Sequence, residues 1–323
     1  MTSRWSQVLA IALLGLPLAG GAMAQDYPNK ELHSVVNFPP GSGMDIMIRY
    51  YSVKLQQLTG KPIVVENKPG ATGNIATEFL ARSKPDGYTF MITPASSTLA
   101  AATALFKKLP FDPVKDIQPV TLLTKLGFVF TVRGDYPAKT MSELTAVLKS
   151  KQGHGAYASA ANTGTVATEL YKARTGLTTN QVMYKGTVDM LNDLVGNQVD
   201  FATFDPGSIA EQLNTGKLRA LAVTSGTRVG SLPNVPTMQE AGFADFDLTP
   251  WIGVVVPAGT PQPIVQKLAD WHRQINAQEE TKKFILQFGM DPLEGDAAAM
   301  AALLKTEISK WPEYIRVAKI DPQ

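Results

Sequence analysis

Strand-like and helix-like segments alternate from end to end of this chain, and the alternation confines it to α/β layers with largely parallel sheets. Residues 34–38, 63–66, 88–93, 128–132, 181–184, 199–204, 219–224 and 251–256 have the β-branched and aromatic content of strands. Between them, apolar residues recur at helical spacing, as in Met190, Leu191, Leu194 and Val195, or Ile264, Leu268, Trp271 and Ile275. Residues 297–317 read as a final helix packing back over earlier structure. Two breaker-rich connections, 110–119 (PFDPVKDIQP) and 233–242 (PNVPTMQEAG), divide the chain into three pieces. Two crossings between lobes would leave a cleft at a hinge, a common place for a ligand.

The first 24 residues are not read as fold. Arg4, an apolar run over 8–18 and the Ala22-Met23-Ala24 triplet have the layout of an export signal cleaved before Gln25. That run is far shorter than the roughly 20 residues needed to span a bilayer. The chain has 323 residues and no cysteine, which excludes disulfide scaffolds, zinc-thiolate sites, thiol enzymes and a lipidated cysteine anchor. A net charge of +2 argues against a nucleic-acid surface.

The segment 33–58 carries the chemistry. A strand enters the turn Gly41-Ser42-Gly43, after which Met47, Tyr51, Leu55 and Leu58 recur at helical spacing. Backbone N–H groups and a helix N-terminus then aim at one point. Such a point favours a carboxylate or phosphate by about 0.3 to 2 kcal/mol from the helix end alone. No cation is needed within the turn. A second glycine-rich element follows at 64–76, with Asn74 as expected N-cap of its helix. A third strand-to-helix junction, at 94–98, gathers Ser96, Ser97 and Thr98.

In an open sheet, ligands bind beyond the carboxyl ends of strands. From the middle of the chain, 159–165 (SAANTGT) and 203–208 (TFDPGS) supply the facing loops. Asp205 would repel a carboxylate, so it is expected to accept from a ligand amine or hydroxyl, or from Tyr184 or Thr187. Phe38, at the mouth of the turn, is a wall on which a flat or aliphatic ligand could stack. Tyr50, Tyr51, Trp251 and Trp271 are expected to pack in cores. His33, His154 and His272 lack metal-ligand spacing and read as structural or solvated. Nucleophile-elbow, zinc-protease, dinucleotide and Walker signatures are missing, so no cofactor and no metal are expected.

Eight segments in order resemble one family, the Bug or TctC-like periplasmic solute-binding proteins of tripartite tricarboxylate transporters. They are FPPGSGMD (38–45) with Arg49, VVENKPGATGNIA (64–76), PDGYTF (85–90), FDPVKDIQPVTLL (111–123), YKG (184–186), GKLRALAVTS (216–225), LPNVPTMQEAG (232–242) and PAGTP (257–261). The resemblance implies a type II periplasmic-binding-protein-like α/β fold. Lobe 1 would comprise 25–125 plus 247–323 and lobe 2 126–246, hinged near 123–126 and 225–251. It implies periplasmic binding of a di-, tri- or aromatic carboxylate for delivery to permease subunits in the membrane. Presentation of the closed form to a sensor kinase is the alternative, and an enzyme using Asp45 or Asp205 a remoter one. The chain is expected to act as a monomer.

Carried onto this sequence, the ligand site comprises Phe38, Pro40, Gly41, Ser42, Gly43 and Asp45 from the first loop, and Ala95, Ser96 and Ser97 from the next. The other lobe would contribute Ser159, Thr163, Thr165 and Asp205. Two departures from the family pattern stand out: Gly41-Ser42 replaces a glycine pair, and 159–165 lacks a histidine.

Overall fold

The computed structural model describes residues 27–184 and 186–323. The expected signal segment, with its cleavage site, lies outside the described residues. In chain order the first elements are β1 (Leu32–Val36), α1 (Gly43–Thr59), β2 (Ile63–Asn67), α2 (Asn74–Ala81) and β3 (Thr89–Thr93). A π-helical turn, Ser96–Ala101, then runs into α3 (Ala102–Leu105) and β4 (Ile117–Leu126). The middle of the chain holds β5 (Val129–Arg133), α4 (Met141–Ser150), β6 (Ala156–Ser159), α5 (Asn162–Thr175) and β7 (Asn180–Met183). It continues with α6 (Thr187–Val195), β8 (Phe201–Phe204), α7 (Ala210–Asn214) and β9 (Leu218–Val223). The final run is β10 (Trp251–Pro257), α8 (Gln262–Ala277), α9 (Glu279–Gln287), β11 (Met290–Pro292) and α10 (Ala297–Ala318).

The strands form two sheets, ordered β11-β4-β10-β3-β1-β2 and β7-β6-β8-β5-β9. The first therefore draws on both ends of the chain and the second on its middle. The expected predominance of parallel pairing does not hold. β1 is parallel to β2 and β3, and β6 to β7 and β8. However, β10 runs antiparallel to β3 and β4, β11 to β4, and β5 to β8 and β9. The cause is the crossing: β4 leads out toward the second sheet and β10 leads back, so these neighbours oppose each other.

Three strands were not expected: β4, β6 and β11. Pro119 lies inside β4, opposite Val255 where the register with β10 slips. At such an irregularity a missing N–H removes no ladder bond. Asn74 is also not the cap of α2; that position belongs to Gly73, at φ 95, and Asn74 is the first helical residue. A Cβ on Gly73 would lie 2.8 Å from both Asn37 Nδ2 and Thr98 Cγ2, so the close approach demands glycine.

The two crossings run side by side. Thr224 N–H donates to Phe128 O at 2.8 Å and Leu248 N–H to Thr224 O at 2.9 Å, while the Thr224 hydroxyl accepts from Phe128 N and donates to Leu248 O. Helix α10 packs on β4, on the π-helical turn and on α5 of the middle region. Through it Trp251, Leu304 and Trp311 join one buried cluster with Phe130, Tyr157 and Phe201 of the second sheet. Each such side chain contributes about 1.5 to 3 kcal/mol by burial. Tyr51 and Trp251 are buried as expected. Tyr50 stacks on Phe284 and Trp271 on Tyr27, both partly buried.

Candidate functional site

The turn after β1 is held by its own side chains. Ser42 caps α1, its hydroxyl accepting from Asp45 N–H at 3.3 Å. The buried Asp45 carboxylate accepts from Gly41 N–H at 2.9 Å, Asn67 Nδ2 at 2.7 Å and Arg49 Nε at 2.9 Å. Burial pushes its pKa up, but the bonds from Arg49, Asn67 and Gly41 outweigh that and hold it down at about 2. Gly41, at φ 80, adopts the left-handed conformation that permits the bend. With Asp45 N–H capped, Gly43 and Met44 are left as the first two donors of α1, which have no partner within the helix.

Behind this turn a buried network fixes the next junction. Asn37 donates to the Thr98 hydroxyl at 3.3 Å, and the Thr93 hydroxyl lies within 3.1 Å of Thr98 Oγ1 and 3.4 Å of Asn37 Oδ1. Ser96 accepts from Trp251 N–H at 3.2 Å, and Ser97 donates to Pro94 O at 3.1 Å. All three hydroxyls of this junction thus have protein partners.

Across the cleft, helix α5 begins at Asn162 with no side-chain cap, since its N-cap is Ala161. Asp205 follows β8 and accepts from Ser208 N–H at 2.9 Å through Oδ1. Neither expected partner bonds it: the Tyr184 hydroxyl donates to Asp193 instead, and Thr187 opens α6. The two regions touch where Pro206-Gly207 meets Phe288-Gly289. A Cβ on Gly207 would come within 2.8 Å of the Phe288 carbonyl oxygen.

These elements enclose a cavity of about 480 Å³. Its wall takes Phe38, Gly43, Met44, Thr72, Pro94 and Ser97 from one side, and Ala161, Asn162, Thr163 and Asp205 from the other. Leu126, Phe128, Pro250, Ile252, Phe288 and Met290 close the back. Among the described residues of the wall, Asp205 is the one charged side chain. The N-termini of α1 and α5 therefore open on one cavity from opposite sides, and an anion there would meet main-chain donors from both.

A family model described as "Tripartite tricarboxylate transporter family receptor" matches residues 47–320. The chain belongs to that family. Among curated relatives of this receptor, Protein BugT of Bordetella pertussis is 31% identical over 97% of each chain. Among solved structures, R. palustris Rpa4515 with adipate matches with a TM-score of 0.78 and 28% identity, covering 92% of this chain and 100% of that one. MatC from Rhodopseudomonas palustris with bound malate gives 0.73 and 29%, covering 90% and 100%. The receptor is thus a periplasmic solute-binding protein of two lobes, as the ordered motifs implied.

Of the expected contacts, the receptor brings Phe38, Gly43, Ser97, Thr163 and Asp205 together in the cavity wall. Eight others lie elsewhere, each for a physical reason. Asp45 is buried beneath its loop by its three donors, and Ala95 and Ser96 are buried against the core and β10. Ser159 and Thr165, also buried, hydrogen-bond to each other at 2.7 Å. Pro40 and Gly41 face solvent at the rim, and Ser42 is engaged as the cap. The wall also holds Met44 and Asn162, which lie inside the expected loops 40–45 and 159–165, and Thr72, Phe288 and Met290, which sequence reasoning did not place there. Met44 and Asn162 were readable as first-turn residues of helices; Phe288 and Met290 carried no local signal.

A second cavity, of about 370 Å³, lies behind the crossings, and none of the expected site residues lines it. It holds Lys125, Asp247, Trp251, Glu307 and Lys310. Burial lifts the Glu307 carboxyl to about 7. Trp251 lies beside it, yet neither its Nε1 nor Glu307 Oε2 has a partner in hydrogen-bond geometry among the described residues. The histidines are structural or exposed: His33 bonds Glu66 at 2.6 Å, His154 faces solvent, and burial lowers His272 to about 4.

Proposed function

We propose that this receptor captures a small carboxylate between the N-termini of α1 and α5 and releases it unchanged to permease subunits in the membrane. The observation that carries the reading is the convergence of those two helix ends on one cavity. In this reading the Gly43 and Met44 N–H groups take one carboxylate. The first turn of α5, with Asn162 and Thr163, meets the same group or the ligand's far end. Residues 25–125 with 247–323 form one lobe and 126–246 the other, turning about the paired crossings at Phe128, Thr224 and Leu248. The relatives seen with adipate and with malate support a carboxylate ligand. Asp45, ion-paired below its loop, is unavailable as a catalytic base, which favours binding without chemistry. The chain would act as a monomer, exported and cleaved after Ala24.

Ser42→Asp tests the reading. Aspartate caps helices as well as serine does, so the fold should survive. Its carboxylate would stand where the ligand's belongs. In a thermal-shift screen of mono-, di-, tri- and aromatic carboxylates, a ligand at 100 times its dissociation constant stabilises the wild type by about 2.7 kcal/mol. The variant should lose that shift. Unchanged calorimetric affinity would remove α1 from the site, and turnover of a bound carboxylate would end the non-catalytic reading.

A further inference from the structure

The wall of the cleft is apolar where a ligand's body would lie. Phe38, Met44, Leu126, Phe128, Phe288 and Met290 come from separate stretches of the chain and face one space. Phe288 is the most constrained of them. The Phe284 ring stands 5.0 Å away, centroid to centroid, and a Cβ on Gly43 would touch the Phe288 ring at 3.6 Å. Its main chain is pressed against Gly207, and a Cβ on Gly289 would lie 2.5 Å from Gly207 N. Phe288 thus lines the cavity wall, and its main chain lies where the two lobes meet.

Resting on the capture reading above, we infer that Phe288 sets the class of ligand: carboxylates whose body is aliphatic or aromatic, packed on the Phe288 ring once the lobes meet. The polar side chains of the wall are Asn162 and Thr163 at the start of α5, Asp205, Thr72 in the turn before α2, and Ser97, whose hydroxyl already donates to Pro94 O. A polyhydroxylated body would bury its hydroxyls against Phe and Met side chains that offer no partner, which disfavours it. An apolar body loses nothing there and gains contact with fixed rings. Because lobe 2 seats on the Phe288 main chain, a body that fills the space beside the ring also supports the closed arrangement.

The test uses matched pairs with equal charge and similar size. Adipate and galactarate are both six-carbon diacids and differ in the four hydroxyls of the second; hexanoate and gluconate, and benzoate and quinate, repeat the contrast for monoacids. Calorimetry on the full receptor should show the apolar member of at least one pair bound about a hundredfold more tightly than its hydroxylated partner. Phe288→Ala should cut that preference to about tenfold or less, chiefly by weakening the apolar member, while Phe288→Leu keeps most of it. Tighter binding of a hydroxylated member, or an equal loss for both members in Phe288→Ala, overturns the inference and leaves carboxylate capture standing. Failure of every carboxylate to bind overturns the capture reading, and this one with it.

Discussion

On the α1 side of the cleft the polar side chains of the loop are tied to protein: Ser42 caps the helix, Asp45 holds Gly41, Asn67 and Arg49, and Ser96 and Ser97 bond to main chain. The α5 side has no side-chain cap, and Asn162 and Thr163 have no side-chain hydrogen bond among the described residues. One face is thus preorganised around fixed backbone donors, which avoids an ordering cost on binding. The other keeps polar groups for the ligand. Under the capture reading proposed above, the difference teaches that the first face suits carboxylates in general, and that discrimination falls to the second face and the apolar back wall.

The strongest way to break this contrast is to unbrace the first face. Asp45→Ala removes the acceptor of Gly41 N–H and Arg49 Nε and one of the two acceptors of Asn67 Nδ2, which still reaches Phe38 O. It should lower unfolding free energy by about 3 kcal/mol in urea titrations. Ligand binding should weaken by about a hundredfold in calorimetry, equivalent to about 2.7 kcal/mol. Lost stability with intact affinity would mean that the loop's geometry does not matter to the ligand.

Proton titration separates the cleft from the cavity behind the crossings. The Asp45 carboxyl is depressed to about 2, so its contribution is present above its ordinary value of 3.8 and is lost as the pH falls toward 2. The Glu307 carboxyl is raised from 4.5 to about 7, so its contribution is complete below 4.5 and disappears as the pH rises through 7. Between those limits the wild type should lose about 3 kcal/mol of stability attributable to Glu307. Glu307→Gln should flatten the profile, and an unchanged slope would assign it to another group.

A smaller effect tests how the two faces come together. Gly207 has no special backbone conformation, but a methyl group there would meet the Phe288 carbonyl. Gly207→Ala should weaken every ligand alike, by about tenfold. In the capture reading the wild type should contract on binding ligand in small-angle scattering, and the variant should lose that contraction. A change confined to some ligands would make this contact a selector instead. Smallest of all, Ser42→Ala removes one cap, and thermal unfolding should report a loss of about 1 kcal/mol with affinity held within about twofold. A tenfold loss of affinity would place the hydroxyl itself in contact with the ligand.

Much of this architecture was legible in local sequence, because turn glycines, caps and period-two runs act over a few residues. The α1 turn, most of the strands and the paired loops followed from such signals. What escaped depends on distant partners. Pro119 suggested a loop, yet β10 supplies a register slip that accommodates it. Asp45 was read as a ligand contact, because nothing in FPPGSGMD reveals that Asn67, 22 residues on, binds it from below. Ser159 and Thr165 looked like ligand hydroxyls until the start of α5 brought them together. Phe288 reaches the cleft by folding alone.

In the proposed reading the anion donors are main-chain groups, and this bears on how such a receptor changes over generations. Only proline deletes a backbone N–H, so other single replacements at Gly43 or Met44 would leave such donors in place unless they alter the backbone path. Side-chain chemistry would then matter most on the back wall and the uncapped face. Under the proposed reading, altering Phe288, Met290 or Asn162 would exchange one cargo for another without passing through a form unable to hold an acid.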